Sequence, residues 1–99
     1  MNEKYYPIVV QAIAGEGYTV YAYFTDGTIH LFDMNKLINS GGIFEQLQNR
    51  EFFVNKLTVM NDTIAWDLSG KFDSTNCIDI DPFEVYAAEK VDDPIESIA

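Results

Sequence analysis

Hydrophobic and polar positions alternate with period two from Tyr18 to Phe24 and again from Thr28 to Phe32, on either side of Asp26-Gly27. Such alternation marks strands with two unlike faces. Asp-Gly is a strong signal for a two-residue type I′ turn, because glycine takes positive φ without a Cβ clash. A hairpin built on that turn sets Thr25 opposite Thr28, Phe24 opposite Ile29, Tyr23 opposite His30, Ala22 opposite Leu31 and Tyr21 opposite Phe32. This register predicts a core face of Tyr18, Val20, Ala22, Phe24, Ile29 and Leu31. It gives the second face to Tyr21, Tyr23, His30 and Phe32, four aromatic rings.

The pattern extends to the rest of the chain. Pro7 suits the entry to an edge strand, and Ile8 to Ala14 reads as a first strand joined to the hairpin through Gly15-Glu16-Gly17. Asp33 can cap a short helix from Met34 to Asn39, which Ser40-Gly41-Gly42 ends. From Ile43 to Lys56 the apolar residues Phe44, Leu47, Phe52 and Phe53 fall near helical spacing, with Asn49 as an N-cap. Leu57 to Met60 and Thr63 to Asp67 form a second hairpin around Asn61-Asp62, with Leu57 opposite Trp66 and Val59 opposite Ile64 on the inner side. Leu68 to Asn76 reads as an ordered loop anchored by Phe72. Asp81-Pro82-Phe83-Glu84 reads as a helix start, with Asp81 as cap and Pro82 at the first helical position. The expected fold class is α+β: an antiparallel three-stranded meander, short helices, a second β-hairpin and a C-terminal short helix. A single domain is expected over residues 5–89, followed by an acidic, frayed tail over 90–99.

Composition narrows the function classes. The 99 residues are 47% hydrophobic and 14% aromatic, which is enough core for one domain without staples. A lone cysteine excludes an internal disulfide and points to a reducing, cytoplasmic setting. No apolar run approaches the ~20 residues of a membrane span. Sixteen acidic residues against six basic ones give a formal charge of −10, which repels a phosphate backbone, so direct nucleic-acid binding is not expected. Seven of the acids (Asp79, Asp81, Glu84, Glu89, Asp92, Asp93 and Glu96) crowd the last 21 residues.

Three groups could carry chemistry. His30 and Cys77 are the only histidine and cysteine, so they form the one Cys-His pair available, but the acids after Cys77 raise a thiol's pKa and oppose a thiolate nucleophile. Asp79 and Asp81 alternate with Ile78 and Ile80, which places both carboxylates on one side of an extended strand with Cα atoms roughly 6.6 Å apart. Such a pair could hold Mg²⁺ or Ca²⁺, although helix capping already accounts for Asp81. No phosphate-binding glycine loop or serine elbow is present, and no cofactor is expected. The aromatic face of Tyr21, Tyr23, His30 and Phe32 is the remaining feature, and aromatic residues anchor protein interfaces.

The succession Phe24-Thr25-Asp26-Gly27, Phe32-Asp33-Met34, Gly42-Ile43-Phe44 with Leu47, Phe52 and Phe53, then Trp66-Asp67 and Asp79-Ile80-Asp81-Pro82 with Tyr86, resembles the small prokaryotic domain-of-unknown-function family 2442. The resemblance covers about Tyr6 to Glu89. It departs from the commoner pattern in the longer loop between Trp66 and Asp79. The resemblance implies a fold and a context, with no activity, cofactor or catalytic residues to carry over. Some relatives are encoded beside another small protein in a toxin–antitoxin-like arrangement. The reading that follows is a non-enzymatic protein-interaction module with a protein partner or a second copy as its ligand. The alternative is a small enzyme or divalent-metal domain using Asp79 and Asp81.

Overall fold

The computed structural model describes residues 6–94. β1 (Val9–Ala14), β2 (Thr19–Phe24) and β3 (Ile29–Asp33) form the antiparallel meander that the alternation predicts. β7 (Glu89–Val91) pairs with the far edge of β3, giving the sheet order β1-β2-β3-β7. A second antiparallel sheet holds β4 (Leu57–Met60), β5 (Thr63–Asp67) and β6 (Cys77–Asp79) in chain order. Between the sheets run α1 (Asn35–Asn39), a 3₁₀ segment (Gly42–Gln48) and α2 (Arg50–Asn55), while α3 (Pro82–Tyr86) leads into β7. The fold is α+β.

Local chemistry explains the helix ends. Asn49 accepts a hydrogen bond from the Phe52 amide, and Asp81 accepts one from the Phe83 amide at 2.9 Å ahead of Pro82. Asp33 takes the Asn35 amide at 2.9 Å. All three satisfy donors that a first helical turn leaves unpaired. The helices have only five or six residues each, too short to hold alone, so packing sustains them. Their apolar sides supply Ile38, Phe53 and Val85 to a core shared with Val20, Ala22 and Phe24 of β2, Ile64 and Trp66 of β5, and Ile78 of β6. Trp66 is fully buried, and its indole N–H donates to the Phe53 carbonyl at 2.9 Å, so burial leaves no donor unmet.

The β2–β3 register differs from the expected one by a residue. The pairs are Tyr23 with Ile29, Ala22 with His30, Tyr21 with Leu31 and Val20 with Phe32. A type I′ turn needs positive φ at both central residues, yet only Gly27, at φ 88°, has it; Asp26 does not. The connection is the three-residue loop Thr25-Asp26-Gly27, with Gly27 N donating to Phe24 O at 3.0 Å and Phe24 N to Thr28 O at 2.9 Å. Asp26 fixes it by accepting from both the amide (2.9 Å) and the hydroxyl (2.6 Å) of Thr28. A slip of one residue turns every β3 side chain to the opposite face. His30 and Phe32 therefore lie with the core residues of β2, and Ile29 and Leu31 lie with Tyr21 and Tyr23.

Two further expectations change. Phe72 does not anchor its loop: it is 68% exposed, with a left-handed φ of 58°. Asp67 organises the loop instead, its carboxylate accepting from the amides of Ser69, Gly70 and Phe72 and from the Ser69 hydroxyl. At the C-terminal end, Lys90 and Val91 belong to β7, so ordered structure passes residue 89. The tail positions 95–99 lie outside the described residues.

Candidate functional site

The four-stranded sheet buries one face and leaves the other outside the core. β2 sends Val20, Ala22 and Phe24 inward, where they are at most 3% exposed. Its other side carries Tyr21 and Tyr23. By register Ile13 of β1 stands beside Tyr21, Leu31 beside Tyr21 on the other flank, Ile29 beside Tyr23, and Val91 of β7 beside Ile29. None of these six side chains belongs to the core cluster. Five are half-buried and Ile29 is buried. Outer faces of antiparallel sheets ordinarily alternate to polar residues; this one alternates to tyrosine, isoleucine, leucine and valine.

The face is shaped by close contacts. Gly15 has no room for a side chain, since a Cβ there would lie 2.5 Å from Thr19 Oγ1 and 3.1 Å from the Tyr21 ring. The Tyr23 hydroxyl donates to Asp93 Oδ1 at 2.8 Å. Burial, that hydrogen bond and the carboxylate's charge together push the Tyr23 hydroxyl pKa up to about 12. Polar positions border the apolar centre: Gln11, Thr19, Asp33 and Glu89 share the face by register. At the β7 end an open cleft of about 350 Å³ is lined by Ile29, Val91, Lys90, Asp92 and Asp93 together with Gly27 and Thr28.

Of the four aromatic residues predicted to share a surface, Tyr21 and Tyr23 do. His30 and Phe32 do not. His30 is 5% exposed beneath the Tyr86 ring, 4.6 Å between centroids, and against Phe24 at 5.2 Å. Its Nδ1 donates to the Ala88 carbonyl at 2.9 Å, and Nε2 lies 3.0 Å from Thr28 Oγ1. Tyr86 in turn donates to Asp26 Oδ2 at 2.7 Å. These contacts tie α3 and the start of β7 to the first hairpin. The hydroxyls of Thr28 and Tyr86 hold the Asp26 carboxyl below the usual carboxylate range. Phe32 packs against the core.

The sequence missed Ile13, Ile29, Leu31 and Val91 on this surface. Ile29 and Leu31 follow from the register. Ile13 sits beyond a bulge between Val9 and Gln11 that expels Val10, 59% exposed, so β1 does not alternate in sequence. Val91 sits on a three-residue strand too short to show a period.

The other candidates fall apart in space. Asp79 accepts from Asn61 Nδ2 at 2.8 Å, whereas Asp81 turns to cap α3. Among the described residues, no group of three or more His, Cys, Asp or Glu side chains is arranged to hold a metal ion. Cys77 is at the start of β6 in one sheet and His30 is in β3 of the other. Burial and the charges of Asp79, Asp67 and Asp73 push the Cys77 thiol pKa up, which disfavours a thiolate. Among the described residues no helix is long and apolar enough to cross a membrane.

No curated protein and no solved structure matches the chain. The family described as protein of unknown function (DUF2442) matches it over residues 9–91, from the first strand through the last. That span takes in both sheets and every element that forms the apolar outer face, so the chain belongs to the DUF2442 family.

Proposed function

We propose that the protein is a non-enzymatic, cytoplasmic protein-interaction module whose contact surface is the outer face of the β1-β2-β3-β7 sheet. One observation carries this reading: Ile13, Tyr21, Tyr23, Leu31 and Val91 lie together on a sheet face outside the core cluster. Contiguous apolar patches mark interaction sites, and tyrosine is a favoured anchor where interfaces form. The resemblance to a family some of whose members are encoded beside another small protein fits a module of this kind. The alternative based on Asp79 and Asp81 draws no support from their geometry, since Asn61 and the start of α3 engage them separately.

The test compares the tagged full chain with Leu31→Asp and Asp79→Ala, each recovered from its native host. A defined partner at stoichiometric level is expected with the wild type and with Asp79→Ala, and at least tenfold less with Leu31→Asp. Far-UV circular dichroism should show both variants folded. Equal recovery with Leu31→Asp would exclude this face, and loss with Asp79→Ala alone would favour the carboxylate alternative.

A further inference from the structure

The charged residues whose register places them at the rim of the outer face are acidic. Asp33 stands at the β3 end and Glu89 on β7 beside Leu31. Asp93 is bonded to the Tyr23 hydroxyl, and the rim cleft is lined by Asp92 and Asp93. Among the described strands the one lysine or arginine is Lys90, which lines the same cleft but pairs with His30, placing it in the inner-facing row. The whole chain adds a formal charge of −10.

Size makes the rim matter. Four strands spaced about 4.8 Å apart and roughly five residues long span an area of about 15 by 17 Å. That is roughly a third of the 800 Å² each side of an ordinary interface buries. A partner large enough to bind stably therefore reaches past the tyrosines onto Asp33, Glu89 and the Asp92-Asp93 cleft. A second copy would bring the same acids against these, and like charges at an interface are strongly disfavoured.

Resting on the interaction-module reading, we infer that the partner is a basic protein surface: an apolar strip for Tyr21, Tyr23 and Leu31, bordered by lysine or arginine side chains that meet the acidic rim. The apolar centre gives most of the affinity, and the charges set on-rate and partner choice.

The probes are two fluorescent amphipathic helical peptides of equal length, one of leucine and lysine and one of leucine and glutamate, titrated by anisotropy into the full chain at 150 mM NaCl. The lysine peptide is expected to bind at least tenfold more tightly than the glutamate peptide and to weaken severalfold at 500 mM NaCl. Asp33→Asn with Glu89→Gln should weaken it about threefold to tenfold. Tyr21→Asp should abolish it although it adds a negative charge, which separates docking on the apolar face from attraction to an acidic protein in general. If both peptides bind equally and Tyr21→Asp removes both, the face stands and the basic partner is overturned. If the lysine peptide binds Tyr21→Asp as well as wild type, the face itself fails. Absence of binding by either peptide, or a wild type dimeric by analytical ultracentrifugation at ~100 μM with Tyr21→Asp monomeric, overturns the inference in favour of another partner or of a second copy.

Discussion

The β4–β5 hairpin turns through two residues and the β2–β3 hairpin through three, and the extra residue decides which side chains of a strand meet the core. At the second hairpin Asn61 and Asp62 both take left-handed φ, 56° and 64°, the signature of a type I′ turn. Asn61 tolerates that conformation better than most residues, and its side-chain amide also donates to Asp79 at 2.8 Å and to the Ser74 carbonyl at 3.3 Å. At the first hairpin the αL position falls on Gly27 alone, and the Asp26 side chain binds the chain two residues on. Both sequences offer an acidic or amide residue suited to a turn. What separates them is what the side chain binds: Asn61 donates across to Asp79 of β6, whereas Asp26 accepts from Thr28 two residues on.

The contrast predicts unequal losses. Trp66→Ala, on the inner face that the two-residue turn specifies, should cost about 3–5 kcal/mol, as large aromatic truncations in cores do. Leu31→Ala, on the outer face that the three-residue loop specifies, should cost about 1 kcal/mol or less, since half-exposed positions lose little burial. Urea denaturation followed by far-UV circular dichroism measures both. Comparable losses would mean that Leu31 faces the core and that the β2–β3 register is the two-residue one after all.

The elements were legible in the sequence wherever one local signal dominated. Three strands of the meander, the Asn49 and Asp81 caps, and the Leu57–Trp66 and Val59–Ile64 pairs follow from period and capping chemistry. The shared surface was legible only in part, because its membership depends on the parity of a single turn. Asp-Gly serves a type I′ turn and equally a type I turn with a glycine bulge; the choice rests on Thr28, whose amide and hydroxyl both bind Asp26, and on Tyr86 sixty positions away. Long-range contacts of that kind leave no trace in a local pattern. Phe72 misleads for a related reason: an aromatic residue between turn clusters resembles an anchor, but Asp67 satisfies the loop's amides and leaves the ring exposed.

The Asp26 carboxylate provides the next test. Asp26→Ala removes its bonds to Thr28 and Tyr86 and should destabilise the domain by about 1–2 kcal/mol, the range of a lost side-chain cap. Its carboxyl sits below the ordinary range because the Thr28 and Tyr86 hydroxyls favour the charged form. A carboxyl lowered in the folded state contributes fully above its unfolded value of about 4, and the contribution fades as pH falls through the lower folded value. The stability gap between wild type and Asp26→Asn should hence be flat above about pH 5 and narrow below pH 4. A gap that stays flat through acid would show that Asp26 does not depend on its charge for these bonds.

Asp81→Ala should cost about 1 kcal/mol, the usual size of a lost N-cap. Its effect reaches the first hairpin because α3 carries Tyr86, whose hydroxyl holds Asp26 and whose ring covers His30. A double-mutant cycle of Asp81→Ala with Asp26→Ala should then give a coupling of roughly 0.5 kcal/mol or more, as residues in one network do, whereas Asp81→Ala with Asn61→Ala should add within about 0.5 kcal/mol. Additivity in both cycles would mean that the first turn holds its register without α3.

Smallest in energy, though readily measured, is the effect beside the second turn. Cys77 Sγ lies 3.8 Å from Asn61 Nδ2 and donates to the Ser74 carbonyl, with burial first and then Asp79 raising its pKa. The thiolate is the species that reacts with iodoacetamide, so at pH 8 the native protein should be alkylated several times more slowly than the urea-unfolded chain. Asp79→Asn removes the strongest of the opposing charges and should speed the native reaction about twofold to fivefold, with little change in stability. An Asp26→Asn control, which alters the other turn, should leave the rate unchanged. If the two variants accelerate alkylation equally, the cause is looser folding in general, and the electrostatic difference between the two turns is not what protects the thiol.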